Sequence, residues 1–195
     1  MKDFFKRNKK VLLISLIIFL IFAVGAAIFT LATIGDQYGM ISANISAMKA
    51  NGTIQNDTSF MMDTFEIFLH NLVADLIVIV GGLLFSIVSV LIVIYNAVSI
   101  GAPFGMDFAF FAPTILPHGI IEYSASVFSL AAAFKITQLE IKMIKNRSFK
   151  NTLAEHKREL KDILIMVVII VILLAIAAVI ECNFIDIIVR WAFGI

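Results

Sequence analysis

Between Val11 and Ile34 the chain runs 24 residues without a charged side chain. As a helix rising 1.5 Å per residue, that run is about 36 Å long, enough to cross a hydrocarbon core of about 30 Å. A cleaved signal peptide has an apolar region of only about 7 to 15 residues, so the run predicts an uncleaved first span. Lys2, Lys6, Arg7, Lys9 and Lys10 precede it against a single Asp3, which places the N-terminus in the cytoplasm.

The rest of the chain agrees with that beginning. With 61% hydrophobic and 15% charged residues and a mean hydropathy of +1.03, the composition lies outside the range of soluble domains. Thirteen of the 15 Lys and Arg residues fall in 1–10 and 135–162, so charge position carries more than the net charge of +1. The single cysteine, Cys182, excludes an intramolecular disulfide or a thiolate zinc cluster.

Residues 35–64 are polar and hold one basic residue, Lys49, as an external loop should. Three Asn-x-Ser/Thr sequons, at Asn44, Asn51 and Asn56, are glycosylation acceptors if the host modifies its surface proteins. Glu66, His70, Asn71 and Asp75 then lead along one helix side into a second span, charge-free from Leu76 to Ile94. Gly81, Gly82, Ser86 and Ser89 offer it a face for close helix approach.

From Asn96 to Pro117 the pattern is broken by Gly101, Gly105, Asp107 and prolines at 103, 113 and 117, so an interrupted or kinked helix is expected. The Gly101/Gly105 pair reads as a bend rather than a dimerisation face. Gly119 to Phe134 is apolar again, with Ala125, Ser129 and Ala133 forming a close-packing stripe at i, i+4, i+8. The basic segment 135–162 should be cytoplasmic, and its second half reads as an amphipathic helix leading into the span Ile163 to Ile180. Glu181, Cys182 and Asn183 close that span, and Phe184 to Ile195, with Trp191, suits a short interfacial helix.

Parity then fixes the count. The N-terminus and the 135–162 loop both lie inside, so an even number of crossings separates them, and the broken segment Ala97 to Ile115 must supply one. The expectation is an all-α polytopic membrane protein: a single transmembrane domain over 1–195, five crossings with one Pro/Gly-broken segment, and an external C-terminus in the cell membrane. In this topology Glu66, His70 and Asn71, then His118 and Glu122, then Glu181 come to similar depth near the outer boundary. His118 and Glu122, one turn apart, face the same side of a helix. Ionisable groups at such depth are costly and usually have a reason to be there.

The run Leu116-Pro117-His118-Gly119-Ile120-Ile121-Glu122, the His70-Asn71 pair before Gly81-Gly82, Asn96, and Ala177 to Glu181 together resemble the stage II sporulation protein M (SpoIIM) family of integral membrane proteins. The resemblance covers about residues 65–183 and is carried most specifically by Pro117, His118, Gly119 and Glu122. It implies a multi-span protein. The family's namesake in spore formers acts as a scaffold assembling wall-degrading partners, while other members occur in organisms that form no spores. This chain departs in carrying His70 where Asn is commoner and Ala97 where Gly is usual.

Three functions compete for these residues. In the first, the protein is a membrane scaffold or partner subunit in envelope remodelling, and the polar cluster is interhelical glue, with His118 capping a helix that starts near Pro117. In the second, the cluster lines a path for ions or small molecules. In the third, His70, His118, Glu122 and Glu181 supply ligands to a divalent metal that activates water. No cofactor beyond such a metal is expected. The expected partners are the bilayer, other membrane or envelope proteins and a second copy of the chain; nucleic acid is not among them, because the basic segments are topological flanks.

Overall fold

The computed structural model describes residues 2–50, 63–147 and 149–193, and all its regular structure is helical. Helix α1 spans Lys2–Ala50, α2 Thr64–Val80, α3 Ile87–Met106, α4 Phe108–Asn146, α5 Phe149–Glu155 and α6 Lys157–Phe193. Among the described residues, five stretches are long and apolar enough to cross a membrane: Lys2–Ile34, Thr64–Leu84, Ile87–Met106, Phe108–Asn146 and Lys157–Phe184. The protein is therefore an all-α, multi-pass membrane protein. Helix α1 does not stop where its apolar run ends but continues to Ala50, so the first part of the polar segment 35–64 is helical. The side chain of Asn44, and Asn51 and Asn56 entirely, lie outside the described residues.

The count of five agrees with the parity argument, but the partition differs. The expected second span, Leu76 to Ile94, is cut in two. A short 3₁₀ turn, Gly81–Leu84, runs into Phe85 and Ser86, both left-handed at φ 51° and 58°, and the chain reverses into α3. Ser89 Oγ donates to the Val78 carbonyl at 2.6 Å and holds the two helices back to back. Thr137 on α4 donates to the Gly82 carbonyl at 2.7 Å, so the Ser86 hydroxyl, also 2.7 Å away, is the donor to Thr137. Small and hydroxylated residues there serve a turn pinned to α4, not the middle of a span.

The broken segment is likewise not a crossing of its own. Pro103 lies inside α3, Pro113 and Pro117 lie inside α4, and the chain reverses at Asp107, whose Oδ1 accepts the Phe110 N–H at 3.0 Å as the cap of α4. At the other end of the sequence, the expected interfacial helix is the continuation of α6 to Phe193. The amphipathic stretch before the last span is α5, separated from α6 only at His156.

Gly101 and Gly105 do not make a bend. A Cβ on Gly101 would collide with the carbonyl of Ala23, and one on Gly105 with the carbonyl of Ala27. Four residues along α3 match four along α1, so the two helices run parallel and in near backbone contact, as the small-xxx-small pattern allows.

Helix α4 is the centre of the bundle. It packs along α6 and also touches α1, α2 and α3. Ala125, Ser129 and Ala133 are buried, as their spacing predicts, together with Leu130, Ala131 and Ala132. From α6, Met166, Ile170 and Leu174 complete this core. At the basic end, Arg7 binds Asp162 through Nε at 3.1 Å and Nη2 at 2.6 Å, and Lys142 meets Glu159 at 2.8 Å. These pairs tie α1 and α4 to α6 in the basic layer.

Candidate functional site

Because α4 begins at Phe108, His118 sits three turns inside it and caps nothing. Proline at 117 leaves the carbonyl of Pro113, one turn back, without its helical donor. Gly119 is buried, and a Cβ there would stand 2.7 Å from the ring of Tyr123; its bareness lets that ring fold back along the helix and stack on Phe19, centroids 5.5 Å apart. The Pro-His-Gly segment thus shapes a helix interior instead of starting a helix.

His118 and Glu122 face α6 from successive turns, and Glu181 of α6 meets them. One ring nitrogen and one oxygen from each carboxylate lie within 4.8 Å of one another. All three residues are half-buried, and His118 Nδ1 is buried without a hydrogen-bond partner among the described residues. Ligands sharing an ion at about 2.1 Å stand roughly 3 to 4 Å apart, so this trio closes on a metal with a shift of about an ångström.

Beside the trio lies a cavity of about 310 Å³ with equal polar and apolar character. Asn71, Asp75, Asn96 and Glu122 line it, and exposed His70 stands at its edge. Asp75 is 3% exposed; its Oδ1 accepts the Ser126 hydroxyl at 3.2 Å, while Oδ2 has no partner among the described residues. Tyr123, Tyr95 and Ser99 complete the polar wall. Pro103, one turn further along α3, removes the helical donor to the Ser99 carbonyl.

Of the residues expected in the cluster, His118, Glu122 and Glu181 form the tight group, and His70, Asn71, Asn96 and Glu122 share the cavity. His70 does not join the three possible metal ligands. Glu66 lies apart: its Oε2 accepts the backbone N–H of Asp63 at 3.3 Å and caps α2, which the pattern Asp63-x-x-Glu66 signals. Sequence reasoning left out Asp75, although its spacing from Asn71 placed it on the same helix side. Along the helices, Glu122 lies about 20 Å from Lys135 on α4 and Asp75 about 16 Å from Thr64 on α2.

A nitrogen ligand with two carboxylates suits a divalent transition metal better than Ca²⁺ or Mg²⁺, and three protein ligands leave coordination positions open. The family model described as SpoIIM, stage II sporulation protein M, matches residues 14–184. No curated protein and no solved structure gives a significant match.

Proposed function

This chain belongs to the stage II sporulation protein M family, and from that premise we propose that it is a multi-pass membrane subunit that binds a divalent cation between its helices. The observation that carries this reading is the convergence of His118, Glu122 and Glu181 within 4.8 Å. Two further features support it. His118 Nδ1 and Asp75 Oδ2 are buried without partners among the described residues, where interhelical glue would be saturated. And below Ser126 the interior is filled by fully buried Ser129, Leu130, Ala132 and Ala133, which favours a closed site over a path through the chain.

The test is metal content. Purified protein, offered Zn²⁺, Mn²⁺ or Co²⁺ at neutral pH and then desalted, should retain near-stoichiometric metal. His118→Gln and Glu181→Gln should each lose it, whereas Glu66→Gln, outside the trio, should not. Wild-type protein that retains none of the three ions removes the reading.

A second reading, a scaffold for envelope partners, is favoured by one different observation. Helix α1 runs past its apolar part to Ala50 and α6 past its own to Phe193, with Trp191 86% exposed, so two helical arms extend from the same side of the bundle. An aromatic side chain of this kind anchors either a partner or a headgroup layer. Trp191→Ala that loses a co-purifying envelope protein while keeping metal supports the scaffold; no change in co-purification argues against it.

A further inference from the structure

A groove of about 790 Å³, separate from the polar cavity but adjoining it at Tyr123, runs between α1 and α4, and its wall is almost wholly apolar. On α1 the lining residues Lys6, Lys9, Leu13 and Leu16 recur at three and four residues, a single helix face. On α4, Ile120 and Phe128 form the opposite wall. Leu13, Leu16 and Ile120 are exposed, at 49%, 41% and 61%, so none of the described residues covers this face. Among the described residues, none that lines it is acidic.

The two lysines at its end are the informative feature. Arg7, on the same turn, is engaged by Asp162, but Lys6 and Lys9 make no ion pair among the described residues. Their ammonium groups therefore stand at the mouth of an apolar channel with their charge uncompensated. From Lys6 to Leu16 is about 15 Å along α1, the depth of one hydrocarbon leaflet. Apolar walls one leaflet deep, ending on two free cations at headgroup level, match one amphiphile: an acyl or isoprenyl chain below an anionic phosphate. A zwitterionic headgroup brings its own cation to the same place and gains less.

We propose that this groove holds one anionic phospholipid of the leaflet facing the basic N-terminal segment, its chains between α1 and α4 and its phosphate on Lys6 and Lys9. Basic pockets between membrane helices recognise lipid headgroups in this way. The groove and the polar cavity share Tyr123 as a lining residue, stacked on Phe19, so the bound chain touches a residue that also lines the cavity.

The experiment is native mass spectrometry on the full chain in detergent, incubated with dioleoyl phosphatidylglycerol or dioleoyl phosphatidylcholine. One phosphatidylglycerol per chain should survive at a collision energy that strips phosphatidylcholine. The double variant Lys6→Gln/Lys9→Gln should retain it about tenfold less. Leu16→Trp, which fills the groove and leaves both lysines, should also lose it, and Lys10→Gln, outside the groove, should behave as wild type. Thermal unfolding of each variant shows that it is folded. Equal retention of the two lipids by wild type overturns the proposal, as does undiminished phosphatidylglycerol binding in Leu16→Trp or an equal loss in Lys10→Gln, since either reduces the effect to diffuse basic attraction.

Discussion

Asp75 shows how one side chain can matter more than its sequence position suggests. Buried within the bundle, it keeps one oxygen on Ser126 and leaves the other buried without a partner among the described residues. Removing the donor leaves a buried carboxyl group less satisfied, a penalty of about 1 to 3 kcal/mol. Ser126→Ala should accordingly lower stability by that amount in mixed-detergent unfolding, and Asp75→Asn in the same chain should recover part of it. If Ser126→Ala unfolds like wild type, Asp75 is satisfied by something other than Ser126.

Two junctions between helices decide how the elements are placed, and both rest on small residues. Between α1 and α3 the backbones touch at Gly101 and Gly105, so a methyl group has no flexible side chain to displace. Gly101→Ala should cost about 1 to 3 kcal/mol, the usual range for overpacking, whereas Gly119→Ala, which meets only the end of the Tyr123 ring, should cost less. Between α2 and α3 the turn holds Phe85 in the left-handed region, at a cost of about 1 kcal/mol to a residue with a Cβ. Phe85 is half-exposed, so Phe85→Gly should raise stability by about that amount. Thr137→Val, which removes the bridge between Gly82 and Ser86, should lower it by about 1 kcal/mol or more, read in the same unfolding measurement.

At the scale of the whole molecule, alternation of five spans puts both basic segments, 2–10 and 135–162, on one side and the starts of α2 and α4 on the other. The positive-inside rule predicts that the basic side is cytoplasmic. In a Cys182→Ser background, a cysteine at Lys2 or Lys145 should react with an impermeant maleimide only after the cells are opened, and one at Asp63 should react in intact cells. The reverse pattern inverts the topology. The Arg7–Asp162 pair joins the first span to the last; breaking it leaves a buried carboxylate without its cation, and Arg7→Gln should destabilise more than Arg7→Gln with Asp162→Asn.

Length, hydropathy and charge position were enough to determine the class, the number of spans and the burial of the Ala125, Ser129 and Ala133 stripe. These follow from rules that act locally: 1.5 Å per residue, the cost of charge in lipid, and helical spacing. The same signals were silent on where one span becomes two. Phe85 and Ser86 sit in an unbroken charge-free run, and the turn there is held by Thr137, about fifty residues away, reaching back to it. Likewise the prolines suggested breaks at 113 and 117, yet α4 passes through both because its packing against α6, α1 and α2 outweighs two lost hydrogen bonds. The candidate site divides along the same line. His118 and Glu122 were legible as a pair because helical spacing alone aligns them, while Glu181 joining them, His70 standing apart and Asp75 turning inward depended on how α2 and α6 pack against α4. Such contacts are set by side-chain volumes distributed over the whole bundle, which no single stretch of sequence contains.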